Sequence, residues 1–361
     1  MPAAASPAAP LPAAQIRRGL LAWYDGARRD LSWRAPPGAV CDPWRVLVSE
    51  LMLQQTTVAT VRGRFEPFLA RFPSLKALAE APLEEVLHAW QGLGYYRRAH
   101  GLHACARAVL AEHGGRLPLD AAELMALPGI GPYTAAAVAA IAGGRAVVPV
   151  DANVERVLGR LLALDRPLPA GRKEIRAAAA ALATKRRPGD LAQALMDLGA
   201  LVCTPHRPAC LACPLRRWCR GAATGEPEAF PRKGAPPARR RRHAVAFLLE
   251  RPSDGAVLFR RRPHGGALAG MIELPSTPWL EDAATAAAAE AEAAPAAAAR
   301  WEPVAGEVRH LFTGCELTVR LLRGSAMNAS EDGLWTPPAR FSELALPTFT
   351  RRLLRHAGLR W

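Results

Sequence analysis

The stretch LPGIGPYTAAAVAAI, residues 127–141, constrains the fold of this chain more than any other feature. Gly129 and Gly131 flank one apolar residue, and glycine permits the backbone conformations of a tight turn. Pro132 suits the first position of a helix, because that position needs no N–H donor. The stretch therefore predicts two helices joined by a tight turn. The free N–H groups that begin the second helix predict a phosphate site that reads no base sequence.

The residues around this turn are also helical by pattern. From Ile16 to about Leu201, apolar residues recur at helical spacing, Pro and Gly separate the segments, and period-two alternation is almost absent. Asp42 and Pro43 supply an N-cap and a first-turn proline for one helix. The further predicted helices lie near 58–70, 75–80, 83–91, 97–113, 120–126, 133–142, 152–164, 172–184 and 189–201.

Beyond this mainly α half the sequence changes character. Residues 221–243, GAATGEPEAFPRKGAPPARRRRH, are rich in Pro, Gly and Arg, which is typical of a linker. AVAFLLE and AVLFRR flank RPSDG, and this pattern predicts a β-hairpin. ELTVRLL predicts another strand, whereas AATAAAAEAEAA and LPTFTRRLLRHAG predict helices. Residues 244–361 are therefore predicted to form an α+β domain.

The chain is strongly basic, with 361 residues and a formal net charge of +15. Such a chain most often binds a polyanion, although an Arg-rich and Ala-rich composition can also produce this charge. No apolar run is long enough to cross a membrane. Residues 1–15 lack the features of a signal peptide, so we expect a disordered leader. We therefore expect a protein of the reducing bacterial cytoplasm, associated with the nucleoid.

Four cysteines lie within seventeen residues, spaced C-x6-C-x2-C-x5-C, at Cys203, Cys210, Cys213 and Cys219. In a reducing compartment such a group binds metal more often than it forms disulfides. The residues alone leave two choices, an iron–sulfur cluster or zinc. Zinc sites more often pair two C-x2-C units, and only one occurs here. Neighbouring arginines make the loop basic, so it could lie against phosphates.

The stretch VSELMLQQT, residues 48–56, places polar side chains where a helix would bury them. Apolar residues including Val46 and Leu53 gather on one helical face, and Glu50 and Gln54 fall near its middle. A buried carboxylate or amide costs several kcal/mol unless it is hydrogen-bonded. We interpret this face as the border of a cleft, where the apolar neighbours would raise the pKa of Glu50 and keep it protonated.

A second carboxylate, Asp151, stands in VPVDANVERVLGRL, residues 148–161. Taken in isolation, Asp151 is explained as the N-cap of the helix that follows. The upstream turn and the buried Glu50 favour a further role. Breaking a glycosidic bond needs two carboxyl groups in different environments, a protonated acid and an ionised group that stabilises the sugar cation.

Together these motifs resemble the endonuclease III superfamily of base-excision repair glycosylases, whose helix-hairpin-helix element carries the Leu-Pro-Gly-Ile-Gly-x-x-Thr string. VSELMLQQT, WQGLGYYRRA and LPGIGPYT, in this order, are similar to the adenine DNA glycosylases of the MutY type. The resemblance covers residues 16–220 closely and the remainder loosely. It implies a two-lobed helical domain whose four cysteines hold one 4Fe-4S cluster.

The resemblance also implies a reaction, which is excision by a monomer of adenine mispaired with 8-oxoguanine or guanine in double-stranded DNA. Glu50 would protonate the flipped-out adenine, and Asp151 would stabilise the sugar cation. Tyr133 and Asn153 would orient these groups and the attacking water. Relatives that also cut the backbone carry a Schiff-base lysine in the hairpin. Tyr133 occupies that position here, so the sequence predicts a monofunctional glycosylase.

Residues that contact DNA are implied as well, because extruding a base costs a few kcal/mol of stacking, which side chains inserted into the duplex offset. The implied positions are Arg29, Trp33, Arg34 and Gln193 in the adenine pocket, Gln55 and Tyr95 as wedges in the duplex, and Gly129 and Gly131 at the phosphate.

The second half resembles the MutY-type recognition domain, which is built like a Nudix hydrolase. The hydrolase box, a Gly followed at set spacings by Glu, Arg-Glu and Glu-Glu, is absent, so we expect this half to recognise DNA without hydrolysis. In the family a Phe-Ser-His loop reads 8-oxoguanine. HLFTGCELTV places Phe312, Thr313 and Gly314 at these positions, so Gly314 replaces the histidine.

Other functions stay open at this point. The chain could be a related mismatch glycosylase for thymine or uracil, although the residues around Trp33 and Arg34 and the second domain favour adenine. A non-catalytic helix-hairpin-helix module that only binds DNA would not need both Glu50 and Asp151.

Overall fold

The computed structural model describes residues 11–234, 238–263, 267–295, 298–312, 314–326 and 333–361. The chain divides into two compact units. Unit 1 comprises residues 1–80 and 101–236, and unit 2 comprises residues 81–100 and 237–361. No helix within the described ranges is long and apolar enough to span a membrane.

The first half of the chain is helical, as its pattern predicts. The helices are α1 (Ala13–Ala27), α2 (Pro43–Leu53), α3 (Val58–Arg71), α4 (Leu75–Glu80), α5 (Leu83–Ala89), α6 (Arg97–Glu112), α7 (Ala121–Ala126), α8 (Pro132–Ile141), α9 (Ala152–Leu162), α10 (Arg172–Leu182), α11 (Pro188–Leu201) and α12 (Arg220–Ala223). Helix α5 belongs to unit 2, and α6 begins there.

Side-chain caps fix where the helices of unit 1 begin. The Asp42 carboxylate accepts the Trp44 N–H at 2.9 Å, which starts α2 after the predicted residue. Asp151 caps α9 in the same way. Helix α8 begins differently, since Gly131 at its N-cap offers no side-chain acceptor. Its first N–H groups are therefore available to other acceptors.

The apolar faces of α1, α9, α10 and α11 form one apolar core of unit 1. Ile16, Leu20 and Tyr24 of α1 are fully buried, and they belong to one apolar cluster with Leu158 of α9 and Leu195 of α11. Burying a side chain of this size contributes roughly 1.5–3 kcal/mol. This core fixes α9 and α11, which carry several residues of the site described below.

The turn between α7 and α8 packs against α6 without room for a side chain. Gly129 has a φ of +75°, and a Cβ there would lie 2.6 Å from the Cα of Gly101. Only glycine satisfies both conditions. The tight turn predicted from LPGIGPYT is confirmed, and Gly129 is required there by backbone geometry and by close packing, whereas Gly131 meets neither condition.

Unit 2 is built around a mixed sheet. Its strand order is β3-β2-β1-β5-β4, with β6 paired to β2. Strands β1 and β5 are parallel, and the other paired strands are antiparallel. The elements are β1 (Arg240–Glu250), β2 (Val257–Arg261), β3 (Ile272–Glu273), α13 (Ala283–Ala288), α14 (Glu290–Ala293), β4 (Ala298–Phe312), β5 (Cys315–Ala326), β6 (Leu334–Thr336) and α15 (Thr348–His356). The predicted hairpin and α+β character are confirmed.

The first half of the chain contributes one segment to unit 2. In residues 81–100 the Gln91 Nε2 donates to the Leu344 carbonyl at 2.7 Å, and Arg351 donates to Gln91 Oε1 at 3.0 Å. Arg261 also pairs with Glu84 at 3.0 Å. The predicted boundary, which assigned all of 16–220 to one domain, did not anticipate this grouping, because contacts so distant in sequence leave no local pattern.

Two segments expected to lack structure contain regular elements, and residues 1–10 of the expected leader lie outside the described residues. Helix α1 begins at Ala13, inside the expected leader of residues 1–15, because Ile16 and Leu20 need a buried surface. The expected linker 221–243 contains the buried Phe230 and the first strand residues from Arg240. Its basic composition concealed this strand.

Candidate active site

A cavity of about 760 Å³ opens in unit 1 and brings together most of the predicted site residues. It lies where the C-terminal end of α2 meets the first turns of α8 and α9 and one face of α11. Its lining includes Arg29, Trp33, Arg34, Glu50, Gln54, Gln55, Gly129, Gly131, Tyr133, Asp151, Asn153, Gln193 and Met196.

Glu50 is the buried acid of this cavity, with only 6% of its surface exposed. The Tyr133 hydroxyl donates a hydrogen bond to Glu50 Oε2 at 2.8 Å. Burial raises the pKa of Glu50 to about 7, and nearby Asp151 adds to this, whereas the Tyr133 hydrogen bond and Arg34 oppose it. The predicted shift is confirmed in direction. A carboxyl group with this pKa can give up a proton near neutral pH.

Gln54, the second polar residue on the apolar face, is also satisfied. Its Nε2 donates to Thr134 Oγ1 at 2.9 Å, which ties the end of α2 to the start of α8. Glu50 and Gln54, the two polar residues near the middle of the apolar face, therefore both pair with α8. The burial that looked unfavourable in the sequence is balanced by hydrogen bonds across the cavity wall.

Asp151 projects its carboxylate from the start of α9. Its Oδ1 accepts the Val154 N–H at 2.7 Å, and its Oδ2 accepts the Asn153 Nδ2 at 2.8 Å. Asp151 is thus both the helix cap and a cavity residue, so the two explanations drawn from the sequence are compatible. The hydrogen bond from Asn153, a residue of α9, orients the Oδ2 atom of Asp151.

Two arginines of the cavity are held by a buried aspartate that sequence reasoning missed. Asp197 of α11 has no exposed surface, and Arg34 donates to it twice, at 2.6 and 2.9 Å. Arg29 donates through Nε at 2.7 Å and through its backbone N–H at 3.1 Å. Burial alone would raise the pKa of Asp197, but these partners hold it below its usual value. The sequence did contain a signal for this residue, because Asp197 is an acid within the otherwise apolar stretch LMDLG, residues 195–199.

Matches to known families follow the two halves of the chain. Residues 48–184 match the HhH-GPD superfamily of base excision DNA repair proteins, and residues 245–356 match the NUDIX domain. The Homo sapiens adenine DNA glycosylase is 36% identical over 378 residues, which cover 90% of this chain and 69% of that protein. This chain belongs to the adenine DNA glycosylase family.

Further members of the family and one solved structure agree with this. The adenine DNA glycosylase of Mycolicibacterium smegmatis is 44% identical over 208 residues, covering 58% of this chain and 70% of that protein. A thermostable thymine-DNA glycosylase structure superposes with a TM-score of 0.53 at 28% identity, covering 59% of this chain and 97% of the other. Over 59% of its length the chain therefore shares its fold with a thymine-DNA glycosylase.

The other residues predicted for the adenine pocket line the cavity too. Trp33 is buried and packs edge-on against Phe65, with ring centroids 5.4 Å apart. Gln193 of α11 is buried, and its Nε2 donates to the Gly189 carbonyl at 3.2 Å. Its Oε1 therefore stays available as an acceptor on the cavity wall.

The predicted DNA-contact residues fall in different places. Gln55 follows α2 with a φ of 54° and an exposed side chain at the cavity edge. Gly129 and Gly131 line the cavity beside the start of α8. Tyr95 lies in unit 2, is 50% exposed, and packs against the guanidinium of Arg98 at 5.5 Å. Its role as a wedge stays a prediction.

The predicted lesion-reading residues stand at the turn between β4 and β5. Phe312 is half-buried and packs against Trp279 and His310, with ring centroids 4.9 and 4.5 Å away. Gly314 has a φ of 77° and is exposed, while Thr313 lies outside the described residues. Phe312 is thus anchored in an aromatic cluster of unit 2, and contact with a base stays a prediction.

An arginine of α9 that sequence reasoning missed connects the site to the cysteine segment. Arg156 Nη2 donates to Asn153 Oδ1 at 2.9 Å and to the Gly199 carbonyl at 2.6 Å. Its Nε donates to the Cys203 carbonyl at 2.7 Å. Asn153, which bonds Asp151, is therefore positioned by a side chain that also fixes the first cysteine.

The four cysteines lie together at one end of unit 1. Cys213 interacts electrostatically with each of the other three thiols, and burial raises its pKa to about 11. Arg160 Nη1 donates to Cys203 Sγ at 3.4 Å, and the Ala222 N–H donates to Cys219 Sγ at 3.4 Å. Donors aimed at these sulfurs would stabilise bound thiolates.

Proposed function

We propose that this chain excises adenine mispaired with 8-oxoguanine or guanine, as a monofunctional and monomeric DNA N-glycosylase of base excision repair. The observation that carries the proposal is one cavity containing a buried acid, Glu50, and a hydrogen-bonded carboxylate, Asp151. Membership of the adenine DNA glycosylase family supports the choice of base.

The two carboxyl groups divide the reaction between them. Glu50, with a pKa of about 7, transfers its proton to the ring of the extruded adenine. The C1′–N9 bond then breaks with its electron pair leaving on adenine, and the sugar becomes an oxocarbenium-like cation. The carboxylate of Asp151 stabilises this cation, and water adds at C1′. The proton released by that water returns to the Glu50 carboxylate.

The absence of backbone cleavage rests on the residues around the cavity. A lyase step needs an amine that forms a Schiff base with the sugar. None of the described residues that line the cavity is a lysine, and Tyr133 uses its hydroxyl to hold Glu50. The product is therefore an abasic site whose strand breaks only when alkali is added.

The cysteine segment suits one 4Fe-4S cluster. Cys203, Cys210, Cys213 and Cys219 lie near one another, and Cys203, Cys213 and Cys219 receive N–H donors, as cluster ligands do. Within the described ranges, no three His, Cys, Asp or Glu side chains are grouped as ligands of a single metal ion. Cluster cysteines each bind a different iron and are spaced more widely. When bound, the cluster would hold the basic loop in place, and a broad absorbance band in the blue would distinguish it from zinc.

The second candidate is excision of thymine or uracil, because a thymine-DNA glycosylase shares the helical fold. One experiment separates the candidates. The protein is incubated with duplexes carrying adenine opposite 8-oxoguanine, thymine opposite guanine or uracil opposite guanine, and half of each sample receives alkali. Alkali-dependent cleavage of only the adenine strand is expected. Cleavage without alkali would contradict the monofunctional assignment, and binding without any cleavage would favour a non-catalytic module.

A further inference from the structure

Four consecutive arginines open the sheet of unit 2. This arginine run, Arg239–Arg242, was expected to lie in a linker, but β1 begins at Arg240. The first three side chains of the run are exposed. The chain therefore places a dense positive charge at the start of a strand, where the hydrogen-bonded backbone loses less conformational freedom on binding than the backbone of a flexible linker.

The sheet register places the arginine run beside the turn between β4 and β5. Arg240 is aligned with Cys315, which is aligned in turn with Phe312 of β4. The Arg240 N–H donates to the Gly314 carbonyl at 3.1 Å, so the run is bonded directly to the turn. Arg309, also exposed, stands on β4 three residues before Phe312. The starts of β1 and β5 and the end of β4 thus lie at one edge of the sheet, and β1 and β4 supply its arginines.

Little of this charge is neutralised inside unit 2. Arg242 pairs with Glu281 at 2.9 Å. Arg241 is aligned with Glu316 on β5 without a direct ion pair. For Arg239, Arg240 and Arg309, no acidic side chain in the described part of the chain forms an ion pair. Arg239, Arg240 and Arg309 therefore keep their guanidinium groups available to an anion from outside the unit.

We propose that the arginine run binds the phosphate backbone of duplex DNA, giving unit 2 its own electrostatic contact with the substrate. The inference rests on the proposed function, which makes duplex DNA the substrate. Guanidinium groups match phosphate oxygens with paired hydrogen bonds, and a backbone contact needs no base sequence. The contact lies next to Phe312 and Gly314, so it holds the duplex against the β4–β5 turn.

The test compares two full-length variants that remove the same charge. In one, Arg239, Arg240 and Arg241 are each replaced by Ser. In the control, three exposed arginines elsewhere in unit 2, Arg300, Arg355 and Arg360, are replaced by Ser. Dissociation constants for the adenine:8-oxoguanine duplex are measured from 50 to 300 mM salt. Each lost phosphate contact lowers the slope of log K against log salt by about 0.9.

The run variant is expected to lose about 2 to 3 units of slope and to bind at least roughly 10-fold more weakly at low salt. The control is expected to keep the wild-type slope. Equal losses in both variants, or no loss in the run variant, would overturn the proposal. A third variant with Arg239, Arg240 and Arg241 changed to Lys keeps the charge and is expected to recover most of the slope, which separates binding from misfolding.

Two further readouts place the contact and separate it from catalysis. Duplexes with single neutral methylphosphonate linkages should weaken wild-type binding at particular positions, and the run variant should be insensitive at those positions. If the run variant were weakened at all of those positions, as the wild type is, a backbone contact by the arginine run would be contradicted. Single-turnover excision by the run variant should need a higher protein concentration than the wild type to reach half of its maximal rate, and an equal requirement in both proteins would contradict the proposal. If the wild-type protein excises no base, the proposed function fails, while the salt slopes still decide whether the arginine run binds DNA.

Discussion

At the scale of single residues, the site contains one carboxyl group whose pKa is raised by its surroundings. Glu50 is almost fully buried, receives one hydrogen bond from Tyr133, and lies near the charge of Asp151. A carboxyl group with a pKa of about 7 is protonated in a large fraction of molecules at neutral pH, which a solvent-exposed glutamate is not. Both the reaction and the stability of the protein should therefore report the protonation of Glu50.

Replacing Glu50 with Gln should abolish excision while DNA binding remains. The amide keeps the size of the side chain but cannot donate a proton to adenine, and loss of a general acid slows a reaction by about 10²–10⁴-fold. Single-turnover excision and electrophoretic binding assays on the same duplex measure the two effects. Excision at a rate near that of the wild type would refute the assignment of the acid.

The same group should give stability a defined pH dependence. The pKa of Glu50 is about 7 in the folded protein and about 4.5 ordinarily, so only the unfolded chain loses this proton between those values. Raising the pH through this window therefore destabilises wild-type protein, by up to about 3 kcal/mol. Glu50→Gln lacks this titration. Its Tm relative to wild type should rise between pH 5 and pH 8, and a constant difference would show that burial does not shift the pKa.

Tyr133→Phe tests the hydrogen bond that opposes this shift. Because the Tyr133 hydroxyl lowers the pKa of Glu50, removing it should raise that pKa further. The decline of the single-turnover rate at alkaline pH should then begin at a higher pH than in wild-type protein. A decline at unchanged or lower pH would contradict the role of this hydrogen bond.

At the scale of elements, the site exists because helix ends converge. The end of α2 meets the start of α8 through Glu50 and Gln54, and the start of α9 presents Asp151. The Gly129 turn sets the position of α8 by packing directly on α6. A change in that turn should therefore disturb the fold as well as DNA binding.

Gly129→Ala and Gly131→Ala form a matched pair for this turn. Gly129 has a positive φ, and an added Cβ would lie 2.6 Å from the Gly101 Cα, so we expect a loss of roughly 2–4 kcal/mol of stability. Gly131 has a φ of −94° and no atom within 4 Å of an added Cβ, so stability should change little. Urea unfolding at constant pH measures both. Equal losses would show that the close approach to Gly101 does not limit this position.

At the scale of the whole molecule, residues 81–100 are joined in sequence to the helical half but pack with unit 2. Gln91 and Glu84 of this segment bond to groups between residues 261 and 351. The two halves of the sequence are therefore not independent domains, because the second half supplies the packing partners of a segment from the first.

A truncated chain that ends at residue 234 should show this dependence. Without Leu344 and Arg351, the amides of residues 83–96 should exchange hydrogen faster than in the full chain, whereas α9 and α11, which share the core of unit 1, should keep their protection. Hydrogen exchange followed by mass spectrometry measures both regions. Unchanged exchange in 83–96 would mean that this segment is stable without unit 2.

The sequence by itself determined the helical half, the tight glycine turn and the α+β second half, and it singled out Glu50 and Asp151, which line one cavity. These features are encoded locally, in the spacing of apolar residues, in glycines that a turn requires, and in an acid on an apolar face. Tertiary structure decided the remainder. Three features depend on contacts between distant segments. They are the pairing of Asp197 with Arg29 and Arg34, the bonds of Arg156 to Asn153 and Cys203, and the packing of residues 81–100 in unit 2. Local patterns record which side chains are buried, but only the folded chain determines which partner each of them meets.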